Sequence, residues 1–473
     1  MGEEIHTGHF SDQDIAHYRA CLESETALLR QWFSHGAFSP AGDIGGFEIE
    51  VCLVDEECRP APLNTEFLQR LADPLVVPEL SCFNIEINTP PQRLAGTALH
   101  AMHTDLSQRW QRCLQTAHLL NIDLLTTGIL PTLRDRDLTL AHMSPVERYR
   151  ALNEQVLRLR QDDPITIDIQ GRDHLRTRHH DVMLEAATTS FQIHLQLDPA
   201  QSVRYYNCAM ILSGPMVAVS ANSPYLFGHD LWDETRIPLF EQAVAVSPRA
   251  GSRANRVTFG DAYVRQSLMQ CFEENLTDYP VLLPTPLPMP LERLAHLRLH
   301  NGTLWRWNRP LIGFDAAGTP HLRLEHRVLP AGPSLVDMMA NAALFYGLIQ
   351  ELATADIAAE SLLSFEQAQR NFYAAAREGL RANLVWLHGK RLPAQTLLRT
   401  LLPLARQGLK RLAIDDTDIN LYLGIIEDRL ASGINGAGWQ RAYVAQHGHD
   451  MTALTCAYRE HQHTGQPVHE WTI

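Results

Sequence analysis

Apolar positions recur at helical spacing over residues 12–33, and from Ile44 onward the period changes to two. In GGFEIEVCLVD (45–55), Phe47, Ile49, Val51 and Leu53 alternate with Glu48, Glu50 and Cys52, and residues two apart in a strand share a face. Strand-like segments are predicted at 46–54, 81–89, 122–130, 187–197, 303–314 and 321–329. Helical stretches at 94–120, 144–160, 202–219 and 334–354 lie between them, with lengths that suit helices packed on a sheet. YPVLLPTPLPMPL (279–291) carries five prolines, so it reads as an extended surface connection and not a central strand. After about residue 356 the strand signals stop, and helical segments at 364–387, 394–412, 415–431 and 437–446 alternate with Gly or Pro breaks. The pattern predicts an α+β protein, with a strand-bearing part over 1–355 and an all-helical C-terminal region, 356–473, packed on it.

Four of the strands share an unusual face. Asn84, Glu86 and Asn88 oppose Phe83, Ile85 and Ile87, and Gln192, His194 and Gln196 oppose Phe191, Ile193, Leu195 and Leu197. Arg323, Glu325 and Arg327 oppose Leu322, Leu324, His326 and Val328. A solvated antiparallel sheet gives the same alternation, but wet faces mix in Thr, Ser and Lys, whereas these are glutamates, amides, arginines and one histidine. Carboxylates two apart lie roughly 7 Å from each other and repel by about 2 kcal/mol at an effective dielectric near 20. Several such pairs on one concave face call for cations, and oxygen-rich ligation with one imidazole suits Mg²⁺ or Mn²⁺ better than zinc. Arginine beside the carboxylates implies a bridging anion, of which a nucleoside triphosphate is the commonest. Two further arginine groups are candidates for cofactor contacts: Arg249, Arg253 and Arg256 in SPRAGSRANR, and Arg306 and Arg309 in LWRWNRPLIGFD.

A formal charge of -14 without a compensating basic block argues against nucleic acid as a partner. Only Lys390 and Lys410 are lysines, neither in a P-loop context, so phosphate handling falls to arginine. The eight cysteines form no CxxC pair, and no HExxH motif occurs, which argues against zinc sites. An acidic, polar start and the lack of any run of 18 apolar residues predict a cytoplasmic protein without membrane attachment. Cys52 reads as a packing residue, GRDHLRTRHHD with His179 and His180 as a charged loop that could cover a site, and the C-terminal histidines as solvated.

Taken in order, Gly46-Phe47-Glu48-Ile49-Glu50, Glu79 with Asn84 to Pro91, Gln192-Ile193-His194 and Glu325-His326-Arg327 resemble the motifs of the glutamate-cysteine ligase type 2, or carboxylate-amine ligase, family. MSPVERYRAL and LPAGPSLVDMMANAALFYGLI extend the resemblance to about residue 350. It implies a glutamine synthetase-like curved sheet, ATP with two or three Mg²⁺ (or Mn²⁺), and Glu48, Glu50, Glu79, Glu86, His194 and Glu325 as metal ligands. Arg327 and Arg323 would meet the transferring phosphate. The implied reaction joins a small, glutamate-like carboxylate to an amine through an acyl phosphate, and a homo-oligomer is compatible with it. Glu79 and Glu86, seven apart, cannot share a face of one regular strand, and Pro78 places Glu79 on the entering loop. Asn84 departs from the pattern, which more often has glutamine. The rival readings are a guanidino kinase-like phosphotransferase and a non-catalytic, nucleotide-binding regulatory protein.

Overall fold

A computed structural model describes residues 10–246 and 255–473. Its centre is a curled antiparallel sheet, eight-stranded among the described residues. The six main strands are β1 (Ile44–Val54), β2 (Val76–Pro78), β3 (Asn84–Asn88), β4 (Ser190–Leu197), β5 (Asn308–Phe314) and β6 (Pro320–Pro330). They lie in the order β5-β6-β4-β1-β3-β2. The 122–130 segment is strand only over Asp123–Leu125, which pairs with the far end of β1. The 303–314 segment is broken: Trp305–Arg306 leaves the main sheet to pair in parallel with Val257–Thr258.

The two faces separate as the alternation requires. Phe47, Ile49, Phe191, Ile193, Leu322 and Leu324 are buried, on the side of the sheet covered by the helices Ser202–Ser220 and Leu335–Ala353. The Tyr346 hydroxyl donates to the backbone carbonyl of His194 at 3.0 Å, and Phe345 stacks on His326 at 4.1 Å. Helix Ser202–Ser220 is apolar nearly all round because protein covers it on every side. His326, fully buried, has its imidazole pushed down to about 3 by burial, and its Nδ1 meets Asn308 Oδ1 at 2.7 Å.

β6 departs from regular pairing. His326 faces Ile193 and Leu329 faces Phe191, so three residues of β6 span two of β4: a bulge with one extra residue. It allows Arg323, Glu325 and Arg327 to share the polar face while Val328 and Leu329 are both fully buried.

The C-terminal region is mainly helical, as expected, with one addition: Asn383–Trp386 and Lys390–Pro393 form a hairpin. Its helices lock onto Leu335–Ala353 through the buried pair Arg429–Asp337 at 2.6 Å. Helix Ala394–Arg411 crosses Leu335–Ala353 at Gly408 and Gly347, where a Cβ on Gly408 would stand 1.9 Å from the Gly347 carbonyl. Of the terminal histidines, His447, His449 and His463 are exposed, as expected, although His463 approaches Asp123 at 3.2 Å; His461, half-buried, stacks on Trp471 at 5.4 Å, and His469 is half-buried too. The charged loop at 171–181 is also corrected. Most of it is the second strand of a hairpin, Ile165–Gln170 with His174–His179, and His179 is buried against Asp135. The proline-rich connection is irregular, but Leu282 and Leu283 are buried instead of lying on the surface. No helix among the described residues is long and apolar enough to cross a membrane.

Candidate functional site

Strand register turns four separate motifs into rows. Arg309 sits opposite Glu325, and Glu325 opposite His194. In the next rows Gln192 faces Glu48, Glu48 faces Asn88, and Glu50 faces Glu86. Directly opposed residues project to the same side of a sheet, so these groups share one face, where Glu48, Glu50, Glu86, Gln192, Arg309 and Glu325 line a cavity of about 370 Å³. Glu79 follows β2 in the loop before β3 and enters the same cavity.

Six of these side chains gather into two groups, Glu48, His194 and Glu325 in one and Glu50, Glu79 and Glu86 in the other, with candidate ligand atoms within 4.8 Å of one another in each. Their electrostatics differ. In the second group, burial and the mutual repulsion of the carboxylates raise Glu79 well above the usual range. Burial and then Glu48 push Glu86 up to about 7. Glu50 is raised by burial in spite of Arg327, and its oxygens accept from Ser190 N at 2.6 Å and Gln192 Nε2 at 3.1 Å. In the first group the carboxylates are held charged. Burial opposes ionisation of Glu325, but Arg309 and Arg327 pull it down to about 2. Burial likewise opposes ionisation of Glu48, but His194, through its charge and a hydrogen bond, and Arg323 together help hold it well below its ordinary value. The His194 ring is 5% exposed, and neither ring nitrogen has a hydrogen-bond partner, although Nε2 lies 3.3 Å from Glu48 Oε1. Such an imidazole beside two carboxylates has the donor character of a ligand for a hard divalent cation, as do three carboxylates that cannot comfortably ionise together.

Arg309 donates Nε and Nη2 to Glu325 as a fork, at 3.1 and 3.0 Å. Arg327 Nη1 donates to Glu325 and to Gln192 Oε1, both at 2.8 Å. Since Gln192 also donates to Glu50, a continuous polar chain runs between the two groups. Arg323 lines the cavity beside them. Of the other arginine candidates, Arg256 and Arg306 are not brought there. Arg256 is fully buried and donates to Thr303 O at 2.9 Å and Pro280 O at 3.2 Å, and Arg306 pairs with Glu274 at 2.9 Å. Neither lines the cavity; both brace the segment that carries Trp305. Arg249 and Arg253 lie outside the described residues. Asn84, the departure from the family pattern, donates to Ala186 O at 2.9 Å and so supports the turn before β4.

Three residues without a strand pattern to announce them belong to this region. Arg148 and Glu185 line the cavity, and burial followed by Glu50 pushes Glu185 up to about 8. Arg236, buried and paired with Glu234 at 3.0 Å, donates Nη2 to Val328 O at the bulge next to Arg327. ERYRAL gave a motif signal for Arg148; nothing local marks the other two.

The profile of glutamate-cysteine ligase family 2 matches residues 44–463. The chain belongs to that family. The family match runs through the helical C-terminal region, beyond the point near 350 where the motifs stop. No curated protein gives a significant match. Among solved structures, the glutamate–cysteine ligase of Francisella tularensis in complex with AMP has a TM-score of 0.58 at 12% identity, over 90% of this chain and 89% of that one. At this identity the likeness bears on the fold, and it agrees with the fold class that the family resemblance implied. A bifunctional glutathione synthetase from Pasteurella multocida (TM-score 0.48, 12% identity, 93% of this chain and 55% of that one) is a weaker likeness. So is the ligase PafA in its complex with the prokaryotic ubiquitin-like protein Pup (0.38, 8%, 89% and 72%). Neither adds to the argument.

Proposed function

We propose that the protein is an ATP- and Mg²⁺-dependent carboxylate–amine ligase, forming an amide from a small, glutamate-like carboxylate through an acyl phosphate. The supporting observation is the pair of three-residue groups, one buried and one partly buried, gathered at the cavity, bridged by Arg327 and Gln192 and flanked by Arg309 and Arg323. Glu48, His194 and Glu325 would hold one cation, and Glu50, Glu79 and Glu86 another. Bound there, Mg²⁺ supplies shielding of phosphate charge.

The substrate carboxylate oxygen attacks the γ-phosphorus of ATP, and ADP leaves. The amine nitrogen then attacks the acyl carbon, inorganic phosphate leaves, and the nitrogen gives up a proton. Arg327 and Arg323 act by donating charge-assisted hydrogen bonds to oxygens that gain negative charge in each step. Arg309, with both donors on Glu325, keeps that carboxylate oriented and ionised. The apolar cavity wall, with Phe272, Leu297 and Leu311 among its residues, limits access of water to the activated acyl group.

Hydroxylamine traps acyl phosphates as hydroxamates, so the protein incubated with ATP, Mg²⁺, hydroxylamine and a panel of carboxylates should yield a hydroxamate and stoichiometric ADP and phosphate. Neither product with any carboxylate refutes the ligase reading. A phosphorylated guanidine as product, with no amide, would establish a kinase.

A further inference from the structure

The two ligand groups use six of the acidic and imidazole side chains at the cavity; Glu185 is left over. We infer that Glu185 binds the acceptor amine as its ammonium ion, and that this acceptor is an alkylammonium with an apolar arm. The inference rests on the ligase reading.

Glu185 sits on the 3₁₀ turn Met183–Ala187, directly before β4. The turn is fastened on both sides, by Val182 N donating to Asn153 Oδ1 at 3.0 Å and by Asn84 Nδ2 donating to Ala186 O at 2.9 Å. Met183, Leu184, Ala186 and Ala187 are buried, so of its five side chains the turn presents Glu185 alone to the cavity. The carboxylate belongs to neither three-residue group and accepts no hydrogen bond from a described residue. A carboxylate partly withdrawn from water without a partner is costly, and Arg327, the cation acting on it most directly, is already engaged with Glu325 and Gln192. Once divalent cations occupy the other carboxylates, Glu185 is the anionic group left to attract a substrate cation. Its surroundings limit what else that substrate carries. Val77, Leu80, Val146, Tyr149 and Leu152 line the cavity around Glu79, and the Tyr149 hydroxyl is turned away to Pro78 O at 3.1 Å. The ammonium end is therefore met by charge and the remainder by apolar surface.

Hydroxylamine is largely uncharged at neutral pH, whereas n-butylamine is a cation. With the carboxylate that supports hydroxamate formation, n-butylammonium should suppress hydroxamate formation by the wild-type protein in competition with hydroxylamine, and n-butanol should not. In Glu185→Gln the half-inhibiting butylammonium concentration should rise about 10- to 100-fold, the usual weight of a hydrogen bond to a charged group. In Glu185→Asp it should stay within about threefold of wild type. The inference is overturned if butylammonium does not compete, if butanol competes equally, or if Glu185→Gln shifts only the Mg²⁺ requirement, which would make Glu185 a cation ligand. The two wild-type arms stand even if the glutamine variant fails to fold. Absence of hydroxamate from the wild-type protein would instead sink the ligase reading.

Discussion

Replacing Glu86 by glutamine should stabilise the metal-free protein while removing its response to divalent cations. Glu86 is 6% exposed, and burial together with Glu48 pushes its carboxyl from 4.5 up to about 7. Below pH 4.5 the group is protonated folded and unfolded, and contributes nothing. Between 4.5 and 7 the folded state binds the extra proton, so stability falls as pH rises; above 7 the cost of the buried, repelled charge is complete. At about 1.4 kcal/mol per unit this cost reaches about 3 kcal/mol. Glutamine keeps the shape and can still accept from Asn88 Nδ2, which bonds Glu86 Oε1 at 2.7 Å. With an unfolding entropy of about 2 cal/mol/K per residue, a chain of 473 residues gains about 3 °C in Tm at pH 8, and less than about 1 °C at pH 5. The assay is a thermal melt in EDTA at both pH values, repeated with Mg²⁺. A cation at about a hundred times its Kd stabilises by about 2.7 kcal/mol, so wild type should gain a few degrees at pH 8 and the variant less than one. A variant that melts lower than wild type in EDTA at pH 8, or that responds equally to Mg²⁺, refutes the reasoning.

Glu325→Gln should abolish ATP turnover while leaving a folded protein by circular dichroism; normal turnover removes Glu325 from the site. Arg327→Lys should lose most of the hydroxamate rate, because a point charge cannot reproduce the contact of a planar fork; an unchanged kcat would argue against contact with phosphate. Arg236→Lys should lower kcat about 10- to 100-fold with a smaller change in KM for ATP, since a displaced bulge misplaces Arg327; equal loss in both would indicate general disorder instead. Arg429→Met leaves Asp337 buried and unpaired and should cost about 3–5 kcal/mol in a denaturant melt; a loss under 1 kcal/mol would show that the C-terminal helices are held by packing alone.

The polar face was legible in the sequence because each of its strands is apolar on the other side, so period two survives even where glutamate replaces the usual surface residues. The position of Glu79 relative to Glu86 followed from chain parity and Pro78. Ile165, Ile167 and Ile169 alternate with Thr166, Asp168 and Gln170 in the same way, yet their partner strand His174–His179 is polar enough to read as a loop. The hairpin at 383–393 is too short, four residues a strand, to stand out among helices. Arg306 and Arg309, three residues apart in one motif, have different fates because only Arg309 lies in the main sheet. Glu185 and Arg236 act through tertiary approach, from a turn and from the start of a helix, where no periodicity marks a functional side chain.

The one-residue offset in β6 makes this edge of the molecule unusually sensitive to the length of the chain. A substitution at Val328 changes what fills the core; its removal would restore uninterrupted pleating, leave Leu329 opposite Phe191 on the apolar side, set Arg327 squarely opposite Gln192, and take away the carbonyl to which Arg236 donates. Sequence drift here can exchange side chains, but shortening the strand would undo the hold of Arg236 on the offset and re-aim the guanidinium that joins the two carboxylate groups.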